Sequence, residues 1–477
     1  MYISYFEDFF TDHLQDARIE KRANKIMTDM LTFGKATVNK FCNSNTEKIG
    51  AYRMFGNEGF SHENLLEGVF SSCKNNQGPE HLLCIQDTTE INFTHHLGRI
   101  GKEDPDIGPM TKNDNGGFFC HPVLVVDAQK VIPKGISYAK LWNRRWDKKD
   151  KHERDYTHQD IEEKESYRWI EAALRTKALL SDTPTLTVIG DREADIYEEM
   201  VKVPAQGVHL LIRTCRNRML SGPKLQLYEF LEAQEQKAAY EIKITGNKKR
   251  QDRTAKIVLK YTKVEISKPK KKKLEGYPPS VKVWAIEAKE MAGTVPEGEE
   301  PIHWRLLTTH EICNLQDAFN CIEWYTLRWL IEELFRVLKN QGMEIESSQL
   351  ETGSGLKKQT VMAMQAALTI LMLKLSIDRP QHLEAGSLFT ARQIAFIKLL
   401  MSQIEGKTQK QQNPYPNGTL EWCAWGIARL SGWSGYKSHG PPGYISIKRG
   451  LDIFFNKLDG YLTALEMLKN NKDVYKE

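Results

Sequence analysis

The chain has 477 residues, 40% hydrophobic and 27% charged, a composition ordinary for a folded protein that excludes a disordered or fibrous one and leaves room for about two to four domains. Its net charge of +5 says little about partners until the charge is followed along the sequence. The eight cysteines never form a C-x-x-C pair, and several sit in apolar runs such as Leu83-Cys84-Ile85, which argues for reduced, buried thiols and against a disulfide frame or zinc site.

From Asp16 to about Leu31, Ile19, Ala23, Ile26 and Met30 recur at helical spacing, with Arg18, Lys21, Arg22 and Lys25 on the other side. Glu7, Asp8 and Asp12 among aromatics do not resemble a secretory signal. A second helix is expected from Ser61, with Leu65, Leu66, Val69 and Phe70 inward. Residues 1–75 therefore read as a small helical unit with a basic face.

The pattern then changes. His81 to Ile85, Phe118 to Val126, Val131 to Tyr138, Leu186 to Ile189 and Val208 to Ile212 read as strands, with a helix between Glu163 and Leu180. Strands alternating with helices indicate a mixed α/β core over residues 76–378. Between Tyr240 and about Leu307, alternating stretches suggest a small antiparallel sheet inserted into that core, the insertion spanning about residues 214–312. Its loops carry Lys248-Lys249-Arg250 and Lys270 to Lys273, and residues 241–275 hold thirteen Lys/Arg against four Asp/Glu. A lobe this positive would bind phosphate in a salt-dependent way.

Helical periodicity returns from Leu315 to about Lys339, and Val361 to Ile377 reads as a buried helix, interrupted by Gln365, Thr369 and Lys374 and short for a bilayer. A soluble, cytoplasmic protein is expected. Residues 379–477 read as helices, Thr390 to Ile404, Leu420 to Leu430 and Ile447 to Lys469. Two apolar faces there (Ile394, Ile397, Leu400; Leu451, Phe454, Leu458, Leu462) are candidates for pairing two subunits.

Two strands end in aspartate, at Asp87 and Asp191. Either residue alone reads equally well as a turn former or helix cap. The segment with Tyr325, Arg328, Glu332 and Lys339 is more specific. At about 100° per residue the last three fall roughly 300°, 340° and 320° round from the first, so a continuous helix places all four on one face. A solvated Arg328–Glu332 pair is the bland alternative, but Trp324, Trp329 and Leu330 crowd the same helix. Carboxylates from three places converge usefully where Mg2+ is to be held with substrate phosphate.

Tyr325-x-x-Arg328-x-x-x-Glu332, followed by Lys339, reproduces a Y-(2)-R-(3)-E-(6)-K signature. With Asp191-Arg192-Glu193-Ala194-Asp195-Ile196, Asp87-Thr88-Thr89, Glu163-Lys164-Glu165-Ser166 followed by Trp169, Ala51-Tyr52-Arg53 and Ile427-Ala428-Arg429-Leu430, the chain resembles the cut-and-paste DDE transposases of the insertion-sequence-four family over nearly its whole length. The resemblance implies an α/β, RNase H-like catalytic core with an inserted antiparallel β subdomain, flanked by helical N- and C-terminal domains. It implies that Asp87, Asp191 and Glu332 are catalytic and hold two Mg2+ ions, with Mn2+ able to substitute. Tyr325, Arg328, Lys339 and Arg213 would hold phosphates, Trp304 would stack a flipped-out base, and Trp329 joins the DNA-binding residues. Arg18 and Arg22 lie on a helix suited to the major groove. The implied partners are double-stranded DNA (transposon end repeats and target DNA) and a second copy of the chain, in a bacterial cytoplasm at the nucleoid. A metal-dependent nuclease without strand transfer and a non-catalytic DNA-binding regulator are the alternatives.

Overall fold

The computed structural model describes residues 6, 8–76, 78, 80–112, 114–146, 159–222, 224–246, 250–270, 274 and 276–474. Lys248, Lys249 and Lys271 to Lys273 of the basic loops lie outside the described residues. Helix α1 (Ala17–Phe33) is opened by Asp16, whose carboxylate accepts the Arg18 backbone N–H, and closed by Gly34 at φ 55. A Cβ at Gly34 would run into the aliphatic stem of Lys448, so both backbone and space demand glycine there. α2 (Val38–Phe41) and α3 (Asn45–Phe55) follow, then α4 (His62–Asn75), which starts after Ser61 as expected. Sequence reading missed α3, which buries only Ala51, Met54 and Phe55 and so shows little apolar period.

The next elements are β1 (His81–Gln86), β2 (Thr89–Asn92), α5 (Leu97–Ile100), β3 (Gly108–Pro109), β4 (Gly116–Asp127) and β5 (Pro133–Trp142). After them come α6 (Tyr167–Leu179), β6 (Thr185–Gly190), α7 (Tyr197–Lys202), β7 (Val208–Arg213) and α8 (Leu227–Glu232). The chain then lays down β8 (Ala238–Ile244), β9 (Arg253–Ser267), β10 (Ser280–Glu290) and β11 (His303–Thr308). All strands form one mixed sheet in the order β2-β4-β1-β6-β7-β11-β10-β9-β8, with β3 and β5 also paired to β4.

The strands expected to form a separate inserted sheet are therefore continuous with the core. β11 pairs antiparallel with β7, Leu306 opposite Arg213 and Thr308 opposite Leu211, so the insertion extends the sheet edge. β1, β6 and β7 run parallel side by side, which brings their C-terminal ends, and with them Asp87, Asp191 and Arg213, to one end of the sheet. Alternate residues feed two cores. Leu83, Ile85, Ile189 and Leu211 face one, and Cys84, Val188 and Leu210 face the other, as strands covered on both sides require.

α9 (Leu315–Thr326) and α10 (Trp329–Arg336) lead to α11 (Gly353–Asp378), α12 (Ala391–Ile404), α13 (Leu420–Leu430) and α14 (Tyr444–Val474). The continuous helix expected from Leu315 to Lys339 is broken. At Leu327 and Arg328 the bonding tightens, with Arg328 N–H on Tyr325 O at 3.1 Å and Ile331 N–H on Arg328 O at 3.2 Å. Past Arg336 the turn widens into a π-helix over Val337–Gln341.

α11 is long and apolar enough to cross a membrane, but 83% of its most apolar stretch is buried within the chain, which makes it a core helix. α1, α13 and α14 pack on it, and α1 also packs on α14. This corrects the proposed pairing faces. Ile397, Leu400, Leu451, Phe454 and Leu458 are buried in the chain's own core, with Ile394 and Leu462 packed against it, so these faces are already covered. The thiol expectation also needs one correction, since Cys215 and Cys313 are exposed although every described cysteine is free.

Candidate active site

Asp87 leaves β1 with its Oδ1 accepting the Thr88 N–H at 2.7 Å. Asp191 leaves β6 and caps the short turn after it, its Oδ1 accepting the Glu193 N–H at 2.8 Å. The cap reading of Asp191 is thus realised, and it does not prevent the residue from joining a cluster. Glu332 comes from the first turn of α10.

Arg328 joins the first and third carboxylates. One of its terminal nitrogens is 3.0 Å from Asp87 Oδ2 and the other 2.6 Å from Glu332 Oε1. The i, i+4 pair legible in the sequence is therefore not a solvated surface pair, because the Arg328 side chain is only 15% exposed. Burial, reinforced by the charge of Asp191 and more weakly of Glu332, pushes the Asp87 carboxyl up to about 6, against the opposing pull of the Thr88 N–H and Arg328. Arg328 itself is held in its charged form, its bond to Glu332 and the neighbouring Asp87 carboxylate overcoming the cost of burial.

The remaining signature residues divide. Burial raises the Tyr325 phenol, and the charges of Arg328 and Arg213 beside it oppose the rise. Arg213, at the end of β7, donates to His303 O at 3.0 Å. The Trp304 ring meets Tyr325 edge-on, 5.6 Å between centroids. Trp329 is 53% exposed beside Arg328. Lys339 lies on the π-helix and pairs with Glu346 at 3.7 Å. Arg18 is taken up by Asp16 at 2.8 Å, and Arg22 lies against Gly50 of α3.

Sequence reading missed the groups that brace the site. Asp195, fully buried, accepts from Thr214 Oγ1 and the Cys215 and Arg216 N–H groups on one oxygen, and from Arg218 on the other. It pins the segment after β7 to the turn after Asp191. Arg168 and His121 do similar work behind Asp87. Their signal was weak, because Arg168 and Thr88 are 80 positions apart.

Asp87 and Glu332, bridged by Arg328, with Asp191 near enough to act on the Asp87 carboxyl, are oxygen donors of the kind a hard divalent cation takes. Among the described residues, however, no group of three Asp, Glu, His or Cys is arranged to enclose an ion. The Arg328 guanidinium lies between Asp87 and Glu332 and neutralises both. The oxygen donors of these residues fit a hard divalent metal in their chemistry.

The family model described as "Transposase DDE domain" matches residues 87–370, more than half of the chain, and its span begins at Asp87. Among solved structures, the chain is similar to a piggyBac transposase synaptic complex with hairpin DNA, at 9% identity over 86% of this chain and 87% of that one. The TM-score of 0.32 makes that likeness too loose to argue from. With this match over more than half of its length, the chain belongs to the transposase DDE domain family, the enzymes of DNA transposition.

Proposed function

We propose that the chain is a cut-and-paste transposase of the insertion-sequence-four group, of the transposon-five type, with Asp87, Asp191 and Glu332 as its one cleavage centre. The observation that supports this reading is the Arg328 bridge between Asp87 and Glu332, with Asp191 near enough for its charge to act on the Asp87 carboxyl. An RNase H-like core is supported by strand order, since β5, β4 and β1 are antiparallel neighbours and β6 and β7 continue in parallel.

The family works with divalent metals, and Asp87, Asp191 and Glu332 would hold two Mg2+ ions, or Mn2+, which activate the attacking oxygen and stabilise the departing one. Arg328, Tyr325 and Arg213 surround the same space and would bind the scissile and neighbouring phosphates, with Lys339 farther along. Trp304 and exposed Trp329 would stack bases unpaired at the end, and Arg18 and Arg22 would read the end repeat. Water would cleave one strand, leaving a 3′-hydroxyl. That oxygen attacks the opposite strand, forming one phosphodiester as another breaks and closing a hairpin. A second water opens the hairpin, and the freed 3′-hydroxyls join target DNA. We place this reaction at the bacterial nucleoid, with two copies pairing around two ends. The exposed Tyr461, Leu465, Met467 and Leu468 of α14 offer apolar surface for that pairing.

The test is incubation with candidate terminal repeats and Mg2+. Hairpin-ended product is expected, and Asp87→Asn, Asp191→Asn or Glu332→Gln should each reduce it by about 10³-fold or more, as for groups acting in the chemical step. Linear ends alone would replace this reading with a plain nuclease, and no cleavage with a regulator.

A further inference from the structure

Behind the carboxylates, toward the other face of the sheet, the Arg168 guanidinium uses each of its edges on a different partner. Nε–H donates to Thr88 Oγ1 at 2.9 Å, one terminal nitrogen to the Glu165 carbonyl at 2.9 Å, and the other to the Glu193 carboxylate. Thr88 directly follows Asp87, and Glu193 stands just beyond Asp191. One side chain therefore clasps both loops that carry the aspartates.

The clasp is built in. Arg168 is 11% exposed, and its guanidinium carbon lies 5.7 Å from the Trp142 ring and 5.6 Å from the Trp169 ring. Thr88 is propped in turn, its Oγ1 2.9 Å from His121 Nδ1, while His121 Nε2 is 3.1 Å from Gln86 Oε1. Burial keeps this imidazole neutral. A neutral ring that donates to Gln86 accepts the Thr88 hydroxyl proton, which leaves the hydroxyl oxygen to receive Arg168.

Burying a guanidinium is costly, and packing alone would favour an apolar side chain at this place. What the charge adds, against the cost of burial, is attraction to Glu193 and Glu165 and more weakly to Asp191, close to where two aspartates repel each other. The planar fork adds geometry, since a lysine nitrogen cannot reach three partners lying in three directions.

We propose that Arg168 is a positioning residue that sets the spacing of Asp87 and Asp191 through Thr88 and Glu193. The inference rests on the reading of those aspartates as metal-holding groups of the cleavage centre. Loss of an outer partner of a metal ligand typically weakens metal binding or activity about 10- to 100-fold.

The test is Mn2+ binding by calorimetry without DNA, beside cleavage of terminal-repeat DNA across a Mn2+ titration, for wild type, Arg168→Gln, Glu193→Gln and the double variant. Arg168→Gln should raise the Mn2+ dissociation constant about 10-fold or more. Glu193→Gln should move it in the same direction, and the double variant should be no worse than Arg168→Gln, because the two residues make one contact. Cleavage should recover as Mn2+ is raised. The Glu193 side chain is 63% exposed, so its variant should melt with the wild type, which separates positioning from folding. Wild-type Mn2+ affinity in both single variants would overturn the inference while leaving the cleavage centre intact. A wild-type protein that holds no Mn2+ would overturn the reading of the centre and this inference with it.

Discussion

At Arg328 local and long-range chemistry meet. Its pair with Glu332 is visible in any helical reading of the sequence, whereas its bond to Asp87 spans 241 positions. Glu199 is a second residue whose state is set by its surroundings. It is fully buried on α7, neither carboxyl oxygen has a partner among the described residues, and burial, then Asp195 and Asp191, holds its pKa well above the ordinary 4.5. A raised value in the folded state means that its contribution to stability is complete below the unfolded value and is lost as pH rises through the folded one. Glu199→Gln removes that loss. The variant should match wild type in melting temperature in acid and gain on it steadily as pH rises above 4.5. Thermal melts across pH check this, and a constant difference would contradict it.

The strands and most helices were legible because their apolar residues repeat with the right period. His81 to Gln86, Thr185 to Gly190 and Leu420 to Leu430 fall within a residue or so of the expected bounds. What stayed hidden was imposed from a distance. Nothing in Tyr325-Thr326-Leu327-Arg328-Trp329 breaks a helix by propensity, and the tightened turn coincides with Arg328 reaching Asp87. The junction of β7 with β11 depends on the pairing of Leu306 with Arg213, which no local pattern encodes. β2 is four residues long and reads as the end of a turn. Asp195 looked like one more acid in a short motif, yet it holds two segments together at 0% side-chain exposure. Asp195→Ala leaves Arg218 buried and unpaired and should cost about 3–5 kcal/mol, the scale of a broken buried ion pair. Urea denaturation measures it, and a loss within the error of the extrapolation would contradict the bracing role.

Over the whole molecule, the parallel strands β1 and β6 bring Asp87 and Asp191 to one end of the sheet, and α10 carries Glu332. Without metal, a carboxyl raised to about 6 contributes stability that is complete below 3.8 and lost as pH rises through 6. A divalent cation reverses that cost once Asp87 is ionised. Millimolar Mg2+ should therefore raise the melting temperature by a few degrees near neutral pH, with the gain shrinking as pH falls through about 6. The same gain at both ends of that range would place the ion elsewhere. The most direct measurement is anomalous scattering from crystals grown with Mn2+. Density is expected among Asp87, Asp191 and Glu332, with Arg328 turned off Asp87. Arg328 still bridging Asp87 and Glu332, with no density beside them at saturating Mn2+, would contradict it.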